Sequence, residues 1–280
     1  MSSNEQAARV RAETFRADYD LGSRPLGDLF ELVHVTLGCD ALAIDADEAE
    51  HGLSMLDPVT DVVVIAVATT GHPMRQRSSL AHEIGHVVAG DLQARSASTP
   101  GSRSPAEIQA DAFARHLLLP VQALHDRFGR PSRETVAPSV GEPELAVFVQ
   151  EFEVSPSLAA IQMKEAGLIR QQACVEWKKI STSRLAARYG WLSQYQAMSA
   201  AAMQARAPQA LMRRAVEGYH RGVVDLKELA RWYGLDPEQL LEQLGPPRDV
   251  ATYDSTATRA RDLDEDAPLF PAGFGGTPGS

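Results

Sequence analysis

Apolar residues from Leu26 onward recur at the spacing of one helical face, as Leu26, Leu29, Phe30, Val33 and Leu37, and Gly38 supplies a stop. The period then changes. Short β-type stretches near Leu42–Asp45, Gly52–Leu56 and Val62–Ala68, with the turn-like Asp57-Pro58 between the last two, predict a small antiparallel sheet. Helical spacing returns from about Met74 to Ala89, where Gly90 ends it, and Arg95–Ser104 reads as a Ser/Pro/Gly loop. The next helix, about Pro105–Leu119, has a marked start: Ser104 suits the N-cap, Pro105 the first helical position and Glu107 the third. Beyond Arg130 a Pro-interrupted stretch leads to a helical segment at Pro143–Phe152. Another helix is capped at Val154-Ser155-Pro156-Ser157 and ends near Gly167, and helical patterning continues through 170–245.

These elements predict an α+β fold: a small antiparallel β-sheet packed on a helix pair, then a mostly helical region and a disordered tail. The expected organisation is a mobile arm or peripheral helix over 1–24, a core over 25–130, a helical region over 131–245 and a disordered tail over 246–280. With 280 residues, 44% hydrophobic and 23% charged, the chain is long enough for a substantial core. A net charge of −10 argues against wholesale binding to nucleic acid or an anionic membrane. Cys39 and Cys174 are the only cysteines and form no CxxC, which excludes a disulfide framework and suits a reducing cytoplasm. The first ten residues lack an apolar signal core, and the longest apolar run, Val62–Ala68, is too short to span a bilayer.

Candidate chemistry enters with His82-Glu83-Ile84-Gly85-His86, an H-E-x-x-H motif inside the helix predicted over 74–89. Positions four apart lie about 40° from each other around a helix, so both imidazoles can meet one ion, with Glu83 beside them to handle a proton. A catalytic zinc ordinarily takes three protein ligands. Glu107 is the candidate third, and Asp111, one turn further on, is placed to orient a ligand histidine through its other nitrogen. Ser104-Pro-Ala-Glu107 equally fits a capping box, in which Glu107 satisfies a backbone N–H.

Arg77-Ser-Ser-Leu-Ala-His-Glu-Ile-Gly-His86, followed by Glu107-Ile-Gln-Ala-Asp-Ala-Phe-Ala-Arg-His-Leu-Leu-Leu-Pro120, resembles the ImmA/IrrE family of zinc metallopeptidases. The later segments Phe152–Ser155 with Leu168-Ile169, and Ala215–Leu244, are similar to the helical part that follows the family's peptidase core. The resemblance implies a gluzincin-like zinc endopeptidase that cleaves a helix-turn-helix repressor to relieve repression. No helix-turn-helix unit is evident ahead of the motif here, so that repressor would be a separate protein.

Zinc held by His82, His86 and Glu107 would lower the pKa of a bound water to about 7, and Glu83 would accept its proton and pass it to the leaving amine. The same N/O ligand set accepts manganese or cobalt. No oxyanion-stabilising group is assigned: His116 lies about 180° from Glu107 around the same helix, and His72 and His125 are isolated histidines. Val62–Ala68 is a candidate edge strand to which an extended substrate would add, or else a strand buried on both faces.

Two other readings compete. Ser183–Gly190 and Asp225–Leu240 have the helix, glycine turn, helix rhythm of DNA-binding units, and residues 170–250 carry a net +4. A recognition helix opening on Asp236-Pro-Glu238 presents acid where phosphate or base contacts need Arg, Lys, Asn or Gln, which argues against direct nucleic-acid binding. The other reading is a partner-sensing regulator with a structural or inactive metal site. Glu83, which a purely structural site does not need, speaks against it. Leu263–Phe270 mixes acidic and apolar residues and reads as solvated tail rather than a docking motif.

Overall fold

The structure, a computed structural model, describes residues 3–46, 52–56, 62–92, 104–130 and 140–247. It divides into two compact units, Met1–Arg214 and Ala215–Ser280. The expected tail over 246–280 lies almost wholly outside the described residues, as do the turn at Asp57-Pro58 and most of the Arg95–Ser104 loop.

The first unit opens with α1 (Ser3–Asp18) and α2 (Leu29–Leu37), followed by β1 (Asp40–Ile44), β2 (Gly52–Leu56) and β3 (Val63–Ala68). Asp28 caps α2 by accepting from Phe30 N (2.9 Å), and Gly38 stops it in the left-handed region at φ 63°. The sheet order is β1-β3-β2. β3 pairs antiparallel with β2, Gly52 opposite Val67 through Leu56 opposite Val63, and parallel with β1, Asp40 opposite Val64 through Ile44 opposite Ala68. The α+β class is as expected, but the sheet is mixed rather than antiparallel throughout. β2, its neighbour in sequence, takes one edge of β3, and β1 occupies the other. β3 has an unbroken apolar sequence, which suits a strand flanked on both sides.

One face of the sheet, with Ala41, Ala43, Ile65 and Val67, is buried. Against the sheet packs α3 (Pro73–Ala89), whose Leu80, Ala81 and Ile84 enter the same core. Next come α4 (Pro105–Leu118) and α5 (Val121–Phe128). α6 (Glu142–Glu151), α7 (Pro156–Glu165), α8 (Gln171–Trp177), α9 (Thr182–Arg188) and α10 (Leu192–Ala202) complete the described helices that lie wholly within this unit. Leu145, Phe148, Met163, Leu185 and Trp191 belong to one core cluster with Ile65, Leu80 and Phe113, so a boundary near 130 does not separate two units.

Of the two readings of the N-terminal segment, the helix rather than the mobile arm is found. α1 buries Ala8, Ala12, Phe15 and Arg16 and packs on α4, with Phe15 edge-on to Phe113 at 6.0 Å. Its buried face is built on two alanines one turn apart, which allow close helix approach but give little hydrophobic signal in a segment rich in Arg and Glu. Arg16 donates from Nε and Nη2 to Leu117 O (2.9 and 2.5 Å) and from Nη1 to Gly22 O (2.6 Å). Burial, with a smaller push from Arg24, lowers the guanidinium pKa to about 10.

α11 (Gln209–His220) runs across the division, and the second unit continues with α12 (Leu226–Tyr233) and α13 (Pro237–Leu244). Asp225 and Asp236 cap the latter two, accepting from Lys227 N (2.7 Å) and Glu238 N (2.9 Å). Gly234, at φ 64°, makes the turn between them. The helix, turn, helix rhythm is therefore real, and the second helix does begin with acidic groups. Among the described residues no helix is long and apolar enough to cross a membrane.

Candidate metal centre

α3 starts at Pro73 and ends at Gly90, so His82, Glu83 and His86 occupy its second half. Gly85 sits where α3 meets α4: a Cβ there would lie 3.1 Å from Phe113 Cδ1 and 3.2 Å from Ala110 Cα. A glycine inside a helix costs about 1 kcal/mol relative to alanine, and here it admits the backbone of α4. That approach brings the first two turns of α4, with Glu107 and Asp111, opposite the histidines. Ser104 Oγ accepts from Glu107 N (3.2 Å), so the cap expected from sequence exists. Capping and ligand geometry coexist at Glu107, because the backbone is capped while the carboxylate reaches the imidazoles.

The three groups converge. His82 Nε2 and His86 Nε2 are 3.1 Å apart, Glu107 Oε2 is 3.1 Å from the first and Glu107 Oε1 is 3.5 Å from the second. Ligands about 2.05 Å from a tetrahedral zinc stand about 3.3 Å from one another, so the donor spacing fits that ion. The outer nitrogens support the same orientation. His82 Nδ1 lies 2.9 Å from Asp111 Oδ1, and His86 Nδ1 lies 2.8 Å from Asp91 Oδ1. A carboxylate only accepts, so each Nδ1 carries the proton and each Nε2 presents a lone pair. Two lone pairs and a carboxylate aimed at one point repel unless a cation sits among them, so His82, His86 and Glu107 form a set able to hold a metal.

The electrostatics favour positive charge at this point. Burial lowers the pKa of His82, but the hydrogen bond and charge of Asp111, with the charges of Glu83 and Glu107, outweigh it and raise the value above that of an ordinary imidazole. Asp91 is the residue that sequence reasoning missed. Its signal was the Gly90-Asp91 pair directly after the helix, read there only as a stop.

Glu83 is 2% exposed and points to β2, where Ser54 Oγ donates to its Oε2 (2.8 Å). Gly52 passes so close that a Cβ would stand 2.9 Å from Glu83 Oε1. The alternation of β2 explains the arrangement: Gly52 and Ser54 face the helix, while Leu53 and Met55 face away and are about half exposed.

Residues 37–164 match the Peptidase_M78 family model, described as an IrrE N-terminal-like domain. This stretch of the chain is thus an IrrE N-terminal-like domain, the domain of the ImmA/IrrE family. Among curated proteins none matches the chain significantly. The match supports a metallopeptidase-type function with a protein substrate, and residues 37–164 include every group of the cluster just described.

The remaining histidines singled out from the sequence do not join the cluster. His116 turns to α7, with Nδ1 3.2 Å from Gln162 Nε2 and Nε2 3.2 Å from Glu165 Oε1. His125 Nε2 lies 3.2 Å from Ala166 O. His72 precedes α3, about 15 Å short of His82 along the helix axis at 1.5 Å per residue. The edge-strand expectation for Val62–Ala68 is overturned: β3 is central, hydrogen-bonded to β1 and β2. β1 is also covered, since Ala43 and Arg206 exchange two backbone hydrogen bonds of 2.9 Å. Among the described residues, β2 is the outer strand without a second neighbour, and it is the strand beside Glu83.

Proposed function

We propose that the protein is a zinc-dependent endopeptidase in which His82, His86 and Glu107 hold the ion, Asp111 orients His82 and Glu83 is the general base. The observation that carries this reading is the convergence of three donor atoms within 4.8 Å, with both imidazoles anchored through Nδ1. Zinc supplies a Lewis acid, which acidifies water towards neutral pH and polarises a peptide carbonyl. Glu83 takes the proton of the attacking water and delivers it to the departing amine. Ser54 holds one oxygen of that carboxylate, so its direction is set before substrate arrives. An extended peptide pairing with the outer edge of β2 runs past Glu83, which supports β2, rather than β3, as the strand that receives substrate. The same N/O donors accept manganese or cobalt, and zinc is the reading for a site of two histidines and one glutamate.

The substrate is a separate helix-turn-helix repressor in the cytoplasm, cleaved to relieve repression. This rests on the resemblance of Arg77–His86 and Glu107–Pro120 to ImmA/IrrE peptidases and on the domain match over residues 37–164. The acidic start of α13 argues against the chain reading DNA itself.

The test is calorimetric zinc titration of metal-stripped protein, paired with cleavage of candidate repressors. Wild type binds one ion tightly and cuts its repressor. Glu83→Gln keeps the ion and loses about 10²–10⁴-fold in cleavage, the usual range for general acid–base catalysis. His82→Ala loses both. Undiminished cleavage by Glu83→Gln would falsify the general-base role.

A further inference from the structure

The contact between His86 and Asp91 lies outside the motif and spacing that locate the site. We propose that Asp91 is a positioning residue that fixes His86 as its Nδ1–H tautomer with Nε2 turned to the metal. Residues 86–91 then form a self-contained half of the centre. This inference rests on the metalloenzyme reading above.

The turn that ends α3 does the placing. Gly90 adopts φ 70°, its N donates to Val87 O (3.1 Å), and Asp91 N donates to His86 O (3.3 Å). This pair of bonds is the Schellman pattern, in which the chain doubles back on the last helical turn. The backbone of Asp91 is therefore bonded to the backbone of the very residue whose ring it meets, and Oδ1 reaches Nδ1 at 2.8 Å. The His86 side chain is 0% exposed, so no solvent competes for that N–H. An uncharged, unpartnered Nδ1–H at this depth would carry a desolvation cost, and the neutral imidazole would be open to the opposite tautomer, which points a proton at the metal. A carboxylate acceptor excludes that tautomer and makes Nε2 a stronger donor to a cation. Asp111 does the same for His82 from another helix, so the two imidazoles have independent anchors.

The experiment titrates zinc into the metal-stripped full chain as wild type, Asp91→Ala, Asp91→Asn and Glu107→Ala, and reads the His86 tautomer by ¹⁵N–¹H correlation in the metal-free chain. Asp91→Ala is expected to raise the zinc Kd about ten- to hundredfold and to populate both tautomers of His86, where wild type shows Nδ1–H alone. Asp91→Asn keeps a neutral acceptor oxygen at the same place, restores the single tautomer and recovers most of the affinity, within about tenfold of wild type. An unchanged Kd and an unchanged tautomer in Asp91→Ala overturn the assignment. If the Ala variant does not fold, both tautomers in Asp91→Asn overturn it instead. A wild-type chain that binds no zinc overturns the metalloenzyme reading and this inference with it. Weak binding by Glu107→Ala beside wild-type binding by Asp91→Ala overturns the role of Asp91 alone.

Discussion

His82 and His86 lie one turn apart on α3 and aim at one point, but their second nitrogens are secured in opposite ways. His86 is held by Asp91, five residues on, through the glycine turn that ends α3. His82 is held by Asp111, 29 residues on, from a separate helix that also brings Glu107. One side of the centre is made by local chain geometry, and the other exists only when α4 lies against α3. The two sides therefore fail differently. The first depends on a single turn, while the second responds to any displacement of α4, including one that starts far from the metal.

The largest effect that separates the two sides is expected for Asp111→Ala. Zinc affinity should fall about ten- to hundredfold in calorimetry, with the tautomer of His86 unchanged. A disturbed His86 in that variant would break the division into two halves. Gly85→Ala is the intermediate case. The added Cβ meets Ala110 and Phe113 and moves α4 by a few tenths of an ångström, more than the ~0.2 Å tolerance of a metal site. Affinity should drop about tenfold while the melting temperature moves little, because the ~1 kcal/mol gained in helix propensity offsets the tighter contact. Wild-type affinity in Gly85→Ala would show that the docked side is not set by this approach. The smallest effect falls outside both halves. Ser54→Ala should leave zinc binding unchanged and reduce kcat for repressor cleavage about three- to tenfold, with Ser54→Thr restoring it, because only the direction of Glu83 is lost.

The docked side of the centre was the more legible in sequence, although it is the less local. H-E-x-x-H puts two histidines on one helical face, and Glu107 with Asp111 repeats that spacing on the next helix, although period alone left a capping role for Glu107 open. Asp91 has no period to betray it. Its position depends on Gly90 taking φ 70°, a backbone state that a stop signal implies but that composition does not reveal. Ser54 and Gly52 were hidden for a different reason: β2 was readable as a strand, but which face it turned to α3 depended on the order β1-β3-β2. Strand order was the main fold feature that pattern could not supply, since a parallel pairing joins residues that are not neighbours in sequence. A helix over α1 was one of two readings, but its burial escaped because alanine packs closely without looking hydrophobic.

The stretch shared with relatives begins at residue 37, after the whole of α1 and nearly all of α2 have passed. Yet α4, which brings Glu107 and Asp111, rests one flank on Ala8, Ala12 and Phe15, and its last turn is gripped by Arg16 at Leu117. Inheritance and folding have thus drawn their borders at different places in this chain. The recognisable ancestry lies in the segment with the chemistry, while the footing of that segment lies in residues that carry no family signature.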